Sequence, residues 1–143
     1  MNGFGGTCFV KDIWSLKTAF INAMLVGTGG FTGAMLRYGL SGLIQRNTVL
    51  STFPYGTLVV NMIGCLLIGI AAGLIDSRQM FGVEIRLFAL IGLLGGFTTY
   101  SAFGYETFVL LRDADYLRAV SNIAVHVVLG LFLVWAGYEL TSR

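Results

Sequence analysis

Four long stretches without a charged side chain constrain this chain more than any other feature. Each reaches the length of about 18 residues that a membrane-spanning helix requires. The stretches cover 18–36, 47–75, 87–105 and 119–138. Charged residues gather in the gaps, so we predict four spanning helices with both chain ends on one side of the membrane. The predicted helices cover about 19–43, 55–75, 86–110 and 117–139.

The composition excludes a water-soluble fold. Of the 143 residues, 56% are hydrophobic and only 11% are charged, and the mean hydropathy is +0.81. A soluble domain carries about 25% charged residues, and a soluble fold of this size could not cover so much apolar surface. We therefore expect an all-α membrane protein in the lipid bilayer, and we exclude soluble enzymes, disordered proteins and disulfide scaffolds.

Residues 1–17 differ from the apolar stretches, because they are rich in glycine at first and mildly amphipathic afterwards. We predict an N-terminal extension that lies on the membrane surface or is disordered, followed by a four-helix transmembrane domain over 18–143. A signal peptide is the alternative, since Lys11 and Lys17 precede an apolar run. That run has full spanning length, which favours a transmembrane helix.

Positive charges are divided almost evenly between the two sides of the membrane. One side holds five lysines and arginines and the other holds four; they are Lys11, Lys17, Arg78, Arg86 and Arg143, against Arg37, Arg46, Arg112 and Arg118. So small a difference barely specifies an orientation. Either the protein inserts in both directions and forms an antiparallel dimer, or the weak bias carries no information. The net charge of +2, without a basic run, indicates no nucleic-acid partner.

Glycines spaced by four allow close contact between helices, because small residues let backbones approach one another in lipid. The pairs are Gly29–Gly33, Gly69–Gly73 and Gly92–Gly96. We expect helix packing for the first two pairs.

The predicted third helix contains a stretch that is poorly suited to a continuous helix. Its sequence from Gly95 to Gly104 is GGFTTYSAFG, in which two adjacent glycines, two threonines and a serine weaken the helix midway through the span. A broken helix frees carbonyl oxygens that must face protein, water or an ion, and carbonyl clusters bind alkali cations. Two interpretations remain open here: a cation site at a dimer axis, or a polar contact between packed helices.

Uncharged hydrogen-bonding side chains occur on several of the predicted helices. Asn61 lies in the second helix, and Asn122 and His126 share a face of the fourth. Such groups either donate hydrogen bonds to an anion or join helices to one another. Tyr100 and Phe103 lie three residues apart in the third helix, where aromatic edges can face an anion or simply pack.

The sequence lacks the groups that other functions require. None of the four uncharged stretches contains a carboxylate, which argues against a proton-coupled cation exporter such as a small multidrug exporter. No Ser/His/Asp set, phosphate-binding loop or metal-ligand spacing is present, and the two cysteines make no disulfide framework. We therefore expect no enzyme. A membrane subunit without transport activity, whose polar residues only join helices, is the second alternative.

Three ordered motifs resemble those of the Fluc (CrcB) family of fluoride channels, and the resemblance covers about residues 24–139. The first motif closes helix 1, the second lies in helix 2, and the third and most specific one spans the predicted break. They read GAMLRY from Gly33, PYGTL from Pro54 with NMIG from Asn61, and GGFTTYSAF from Gly95 with ET at Glu106.

The resemblance implies both a fold and a function. The fold has four transmembrane helices per subunit, with helix 3 broken mid-membrane, in an antiparallel dual-topology homodimer with two pores along the subunit interface. The function is passive, selective export of fluoride from the cytoplasm across a bacterial inner (plasma) membrane, which reduces fluoride toxicity. The resemblance also implies a structural Na⁺ on the two-fold axis, held by backbone carbonyls of Gly95 and Thr98.

The resemblance assigns further roles residue by residue. The implied pore residues are Asn61, Tyr100, Phe103, Thr99, Ser101, Asn122 and His126. Arg37 matches the arginine that ends helix 1, and Glu106 matches the acidic residue near the aqueous end of helix 3.

Three residues depart from the family pattern. They are Tyr100 in place of a phenylalanine, Ala102 in place of a serine or threonine, and His126 in place of a small serine. The first adds a hydroxyl to the predicted pore and the second removes a donor. The third brings a titratable group to it, so we expect conduction rate and pH dependence to be the properties that change.

Overall fold

The computed structural model describes residues 6–48, 52–78 and 81–143, with side chains for 15–48, 52–77 and 81–143. All regular secondary structure in these ranges is helical. The elements are α1 (Gly6–Asn47), α2 (Tyr55–Arg78), α3 (Val83–Ile85), the π-helical segment π1 (Arg86–Leu94), α4 (Gly95–Phe97), α5 (Tyr100–Arg112) and α6 (Tyr116–Ser142).

Four helical spans in the described residues are long and apolar enough to cross a membrane, which confirms the four predicted spans. They are Ser15–Asn47, Tyr55–Ser77, Val83–Arg112 and Tyr116–Ser142. The first is four residues longer at each end than the predicted 19–43, and its backbone is already helical from Gly6. Residues 6–17 therefore continue α1. Placement of this extension on the membrane surface stays a prediction, and residues 1–5 lie outside the described part of the chain.

Two sets of helices pack closely, α2 on α6 and α1 on π1 and α4. A Cβ atom on Gly137 of α6 would lie 2.5 Å from the Leu66 carbonyl oxygen, and one on Gly96 would lie 2.5 Å from the Gly30 carbonyl oxygen. Cβ atoms essentially never come so close to another atom, so the helix backbones are in direct contact at these points. The predicted packing role is confirmed for Gly29–Gly33 and Gly69–Gly73, and Gly92–Gly96 packs on α1 in the same way.

The helical backbone of the third span stops at Phe97 and resumes at Tyr100. Thr98 and Thr99 between them are extended, with φ and ψ of −82° and 159° and of −150° and 117° respectively. Threonines are β-branched and adopt this conformation readily. Thr99 also caps α5, because its Oγ1 accepts a hydrogen bond from the Ala102 amide at 3.2 Å. The interruption therefore follows the two glycines instead of falling on them.

Candidate functional site

A cavity of about 440 Å³ lies beside the interruption in the third span, with walls from α2, π1, α5 and α6. Within the described ranges its lining contains no charged side chain. The lining includes seven residues that the sequence implicates: Asn61, Gly95, Thr98, Thr99, Tyr100, Phe103 and His126. Packing thus brings neutral polar groups from three spans to one place.

Asn61 is hydrogen-bonded to the interrupted backbone at two points. Its Nδ2 donates to the Thr99 carbonyl oxygen at 3.1 Å, and its Oδ1 accepts from the Thr99 amide at 2.9 Å. The side-chain amide therefore provides Thr99 with partners that a continuous helix would have supplied. One of the two Nδ2 hydrogens is left over, so Asn61 can support the backbone and still donate to another acceptor.

Two backbone carbonyl oxygens at the interruption have either lost their helical hydrogen bond or accept only a long one. In a continuous helix the Gly95 carbonyl would accept from the Thr99 amide, but that amide donates to Asn61 instead. The Thr98 carbonyl accepts from Arg37 Nη1 at the long distance of 3.4 Å. The described residues include no cluster of three or more His, Cys, Asp or Glu side chains suited to a metal ion. The carbonyl oxygens of Gly95 and Thr98 are of the kind that binds alkali cations, and their role as ligands stays a prediction.

Three rings form a continuous row along the cavity. The centroids of Tyr100 and Phe103 lie 5.6 Å apart, and those of Phe103 and His126 lie 4.4 Å apart. The ring planes are tilted by 53° and 40°. Tilted rings present electropositive edges as well as faces, so the edges of Tyr100 and Phe103 can face an anion although these rings carry no charge.

A second cavity, of about 550 Å³, also has Thr99 in its lining, together with Arg37, Ser101 and Glu106. Thr57 Oγ1 donates to Glu106 Oε1 at 2.5 Å, whereas the buried Oε2 has no hydrogen-bond partner among the described residues. The predicted residues are thus divided between two compartments. The first is uncharged, and the second contains the guanidinium and the carboxylate.

The side chain of Asn122, on α6, lies against α5 and is absent from the linings of both cavities. Thr107 Oγ1 donates to the Phe103 carbonyl at 2.8 Å, so it must accept the hydrogen bond from Asn122 Nδ2 at 2.9 Å. His126 Nδ1 lies 2.9 Å from the Asn122 carbonyl oxygen. Asn122 is fully buried and joins the two helices, and its role in a pore stays a prediction.

Two buried threonines that lie in the family motifs join the site, although no site role is predicted for either of them. Thr57 is bonded to Glu106, and Thr107 connects Phe103 with Asn122. The position of Thr57 is a signal in the sequence, because it lies one helical turn before Asn61 and shares its face. The signal is weak, since threonine in a membrane helix commonly bonds only to its own backbone.

Comparisons with known proteins identify the family. The family model described as CrcB-like protein, Camphor Resistance (CrcB), matches residues 24–138. A protein of Methylobacillus flagellatus named "Fluoride-specific ion channel FluC" is 46% identical over 119 residues, which cover 83% of this chain and 93% of the relative.

Similar relatives occur in other organisms. One from Pyrococcus furiosus with the same name is 44% identical over 119 residues, covering 83% of this chain and 94% of the relative. "Fluoride-specific ion channel FluC 1" of Methanosarcina acetivorans is 44% identical over 114 residues, covering 80% of this chain and 86% of the relative. These proteins are named as ion channels, so the prediction that the chain is not an enzyme is confirmed. From the family match, the relatives and the four spans together, we conclude that the chain is a multi-pass membrane protein that belongs to the CrcB family.

Proposed function

We propose that this protein is a passive channel that exports fluoride from the cytoplasm. The observation that carries the proposal is the uncharged cavity at the interruption, lined by amide, hydroxyl, imidazole and aromatic groups. The relatives' printed names point to the same anion. Neutral donors suit a channel, because binding must be favourable enough for entry and weak enough for exit.

Hydrogen-bond donors near the interruption can replace the water around fluoride, which is small and strongly hydrated. Asn61 retains one Nδ2 hydrogen beyond the one donated to the Thr99 carbonyl. The Thr99 and Ser101 hydroxyl oxygens lie 3.3 Å apart, and either hydroxyl can donate to the other. Whichever of the two donates, the proton of the other hydroxyl is left for another acceptor. The N-terminal end of α5 adds the positive end of a helix dipole at the same place.

The proposed assembly is an antiparallel, dual-topology homodimer with two pores along its interface. The nearly equal numbers of positive charges on the two sides support insertion in both directions. The cavity wall supports a partner, because Tyr100 lines the cavity and yet is 84% exposed in a single chain. A second copy over this face would cover the ring and close the path from lipid.

A structural Na⁺ at the two-fold axis fits the chemistry of the interruption, which this proposal places at mid-membrane depth. The carbonyl oxygens of Gly95 and Thr98 would hold the ion together with those of the second copy. When bound, Na⁺ would supply positive charge that lowers the cost of bringing an anion into low dielectric. The Arg37 guanidinium, which already donates to Thr98, is the chain's own group that competes for that carbonyl.

The channel is proposed to reside in a bacterial inner (plasma) membrane. Hydrogen fluoride crosses membranes uncharged and dissociates in a neutral cytoplasm, which traps the anion inside. A passive exit for fluoride reduces its toxicity without an energy source, because the anion leaves down its own gradient.

Efflux from liposomes tests the function. Purified protein is reconstituted into liposomes loaded with potassium fluoride, and release is followed with a fluoride electrode after valinomycin is added. We expect rapid fluoride release and chloride release no faster than from protein-free liposomes. We also expect slower fluoride release from protein prepared without Na⁺. Fluoride-tight liposomes would contradict the proposed function, and equal chloride release would contradict selectivity.

A further inference from the structure

His126 is the only histidine in the chain, and it lines the uncharged cavity from the middle of α6. Its ring packs against Phe103, with centroids 4.4 Å apart. Its Nε2 is buried and has no hydrogen-bond partner within the described residues. One imidazole nitrogen is therefore engaged by the fold, and the other is buried without a partner.

The engaged nitrogen determines which tautomer the neutral ring adopts. Nδ1 lies 2.9 Å from the Asn122 carbonyl oxygen. A carbonyl oxygen can only accept a hydrogen bond, so Nδ1 must carry the proton. A neutral imidazole has a single N–H group, which leaves Nε2 with a lone pair. The contact with Asn122 thus uses the only donor that neutral His126 possesses.

This assignment changes what His126 can offer to fluoride. Fluoride is an acceptor and cannot donate, so a lone pair on Nε2 repels it. Protonation of Nε2 converts the same atom into a positively charged N–H donor. We propose that His126 is a proton-linked anion site, which binds fluoride at Nε2–H only as imidazolium, so that the anion and a proton bind together. This inference rests on the proposed fluoride channel.

The lack of charged side chains in this cavity, within the described residues, favours coupled binding of fluoride and a proton at His126. The titratable groups that share the cavity are Cys65 from α2 and Tyr100 from α5, and π1 contributes only apolar side chains. No carboxylate lines this compartment in the described part of the chain: Glu106 lies in the second cavity with Thr57, and Arg37 reaches only the Thr98 carbonyl. An imidazolium here has no counter-ion of its own, so fluoride is the group that neutralises it.

The first test measures fluoride efflux against pH. Wild-type protein is reconstituted at equal inside and outside pH values from about 5.5 to about 8.5, with protein-free liposomes at each pH to subtract leakage of hydrogen fluoride. At low fluoride concentration we expect efflux to fall as pH rises, approaching about tenfold per pH unit above the midpoint, because the imidazolium fraction falls by that factor. His126→Ser and His126→Gln should show efflux independent of pH.

Two control variants assign the effect to the imidazole. Cys65→Ala removes another titratable group of the cavity, and Val127→Ala changes a neighbouring wall residue that cannot titrate. Both should retain the pH dependence of the wild type. A flat wild-type profile, or an unchanged profile in both His126 variants, overturns the inference while leaving the channel in place. Fluoride-tight liposomes at every pH overturn the proposed function instead.

A second readout does not depend on transport or on any variant. Protein labelled with ¹⁵N-histidine gives signals from one residue, because the chain has one histidine. We expect a protonated Nδ1 and a bare Nε2 at high pH, and we expect fluoride to move the protonation midpoint to higher pH, since coupling between two ligands is reciprocal. The same concentration of chloride is the ionic-strength control. A midpoint unaffected by fluoride, or a bare Nδ1, overturns the inference.

Discussion

At the scale of single residues, Asn61 and Thr99 each support a backbone group in addition to their predicted role in a pore. Asn61 bonds both the amide and the carbonyl of Thr99, and the Thr99 hydroxyl caps α5 through Ala102. Deleting either side chain would change the shape of the cavity together with its chemistry. Informative substitutions therefore retain one of these two functions.

We expect Asn61→Asp to abolish fluoride efflux. An aspartate keeps an oxygen for the Thr99 amide but loses the donor to the Thr99 carbonyl, and it adds a negative charge to an uncharged cavity. Efflux should fall at least about 100-fold, which corresponds to about 2.7 kcal/mol in the barrier. Liposome efflux measures this, with size-exclusion chromatography to verify folding. The control is Asn47→Asp, at the exposed end of α1 and outside both cavities. Unchanged efflux would remove Asn61 from the path.

The hydrogen bond between Thr57 and Glu106 predicts an energetic coupling. Thr57→Val removes the donor and leaves a second carboxylate oxygen of Glu106 without a partner, which should cost about 1–3 kcal/mol of unfolding free energy. The same substitution should cost much less in a protein that already carries Glu106→Leu. Thermal unfolding of the four proteins in detergent measures the cycle. Thr28→Val, which removes an exposed hydroxyl bonded to its own helix, is the control. Strictly additive losses would show that the pair is not coupled.

At the scale of elements, glycines determine how closely the helices approach. The contact between α2 and α6 places Gly137 against the backbone of Leu66 and Ile70, where neither neighbour can rotate away. The packing of α1 on π1 and α4 uses Gly92 and Gly96 in the same manner. These contacts hold the third span beside α1, and so they position the interruption and the two cavities next to it.

Gly137→Ala should therefore destabilise the protein by at least about 2 kcal/mol, since overpacking against backbone forces helices apart. The added Cβ would lie 2.5 Å from the Leu66 carbonyl oxygen and 2.9 Å from the Ile70 amide nitrogen. Gly39→Ala is the matched control, because a Cβ there has no atom within 4 Å and alanine favours helix by up to about 1 kcal/mol. Thermal unfolding distinguishes the two variants. A similar loss in both would contradict close α2–α6 packing.

The elements also show which features sequence can predict. The gaps between charged residues define all four spans, because charges mark the ends of helices at the membrane surface. The glycine and threonine segment predicts a weak helix near the right place. It does not predict that Asn61, 38 positions earlier, supplies both partners of Thr99. Such pairs depend on the packing of α2 against the third span, which local sequence does not encode.

The donor role of His126 is a second feature that depends on three-dimensional contacts and that local sequence does not predict. Its position on helix 4 and its chemistry suggest a hydrogen-bond donor for an anion. The contact of Nδ1 with the Asn122 carbonyl uses that donor in the neutral ring. The four-residue spacing between Asn122 and His126 does not show whether the imidazole faces the Asn122 carbonyl or turns away from it. The geometry of α6 is needed to decide.

At the scale of the whole molecule, large apolar side chains cover the outside of a single chain. Phe31, Leu117 and Leu131 are examples of largely exposed residues on α1 and α6. Lipid covers most of such a surface, and the open cavity beside Tyr100 brings neutral polar groups to the outside of the single chain. The molecule as a whole thus favours the proposed pairing of two copies.

Dual topology predicts that both orientations occur in one membrane. In a protein with Cys8 and Cys65 replaced by serine, Arg143→Cys provides a single thiol near the end of α6. A membrane-impermeant thiol reagent applied to intact cells should label about half of the molecules, because the charge bias does not select an orientation. Permeabilised cells, in which all molecules should react, are the control. Complete or absent labelling in intact cells would contradict an antiparallel dimer.

Within the described part of the chain, Thr99 alone belongs to the linings of both cavities. In the proposed channel the two cavities would act as resistances in series, and the narrowest element between them would limit the current. Asn61 holds both the amide and the carbonyl of Thr99, so the part of Thr99 that can rotate is its side chain, once the hydrogen bond to the Ala102 amide is released. Enlarging either compartment should then change the current little, whereas the volume and rotation of one side chain should set it.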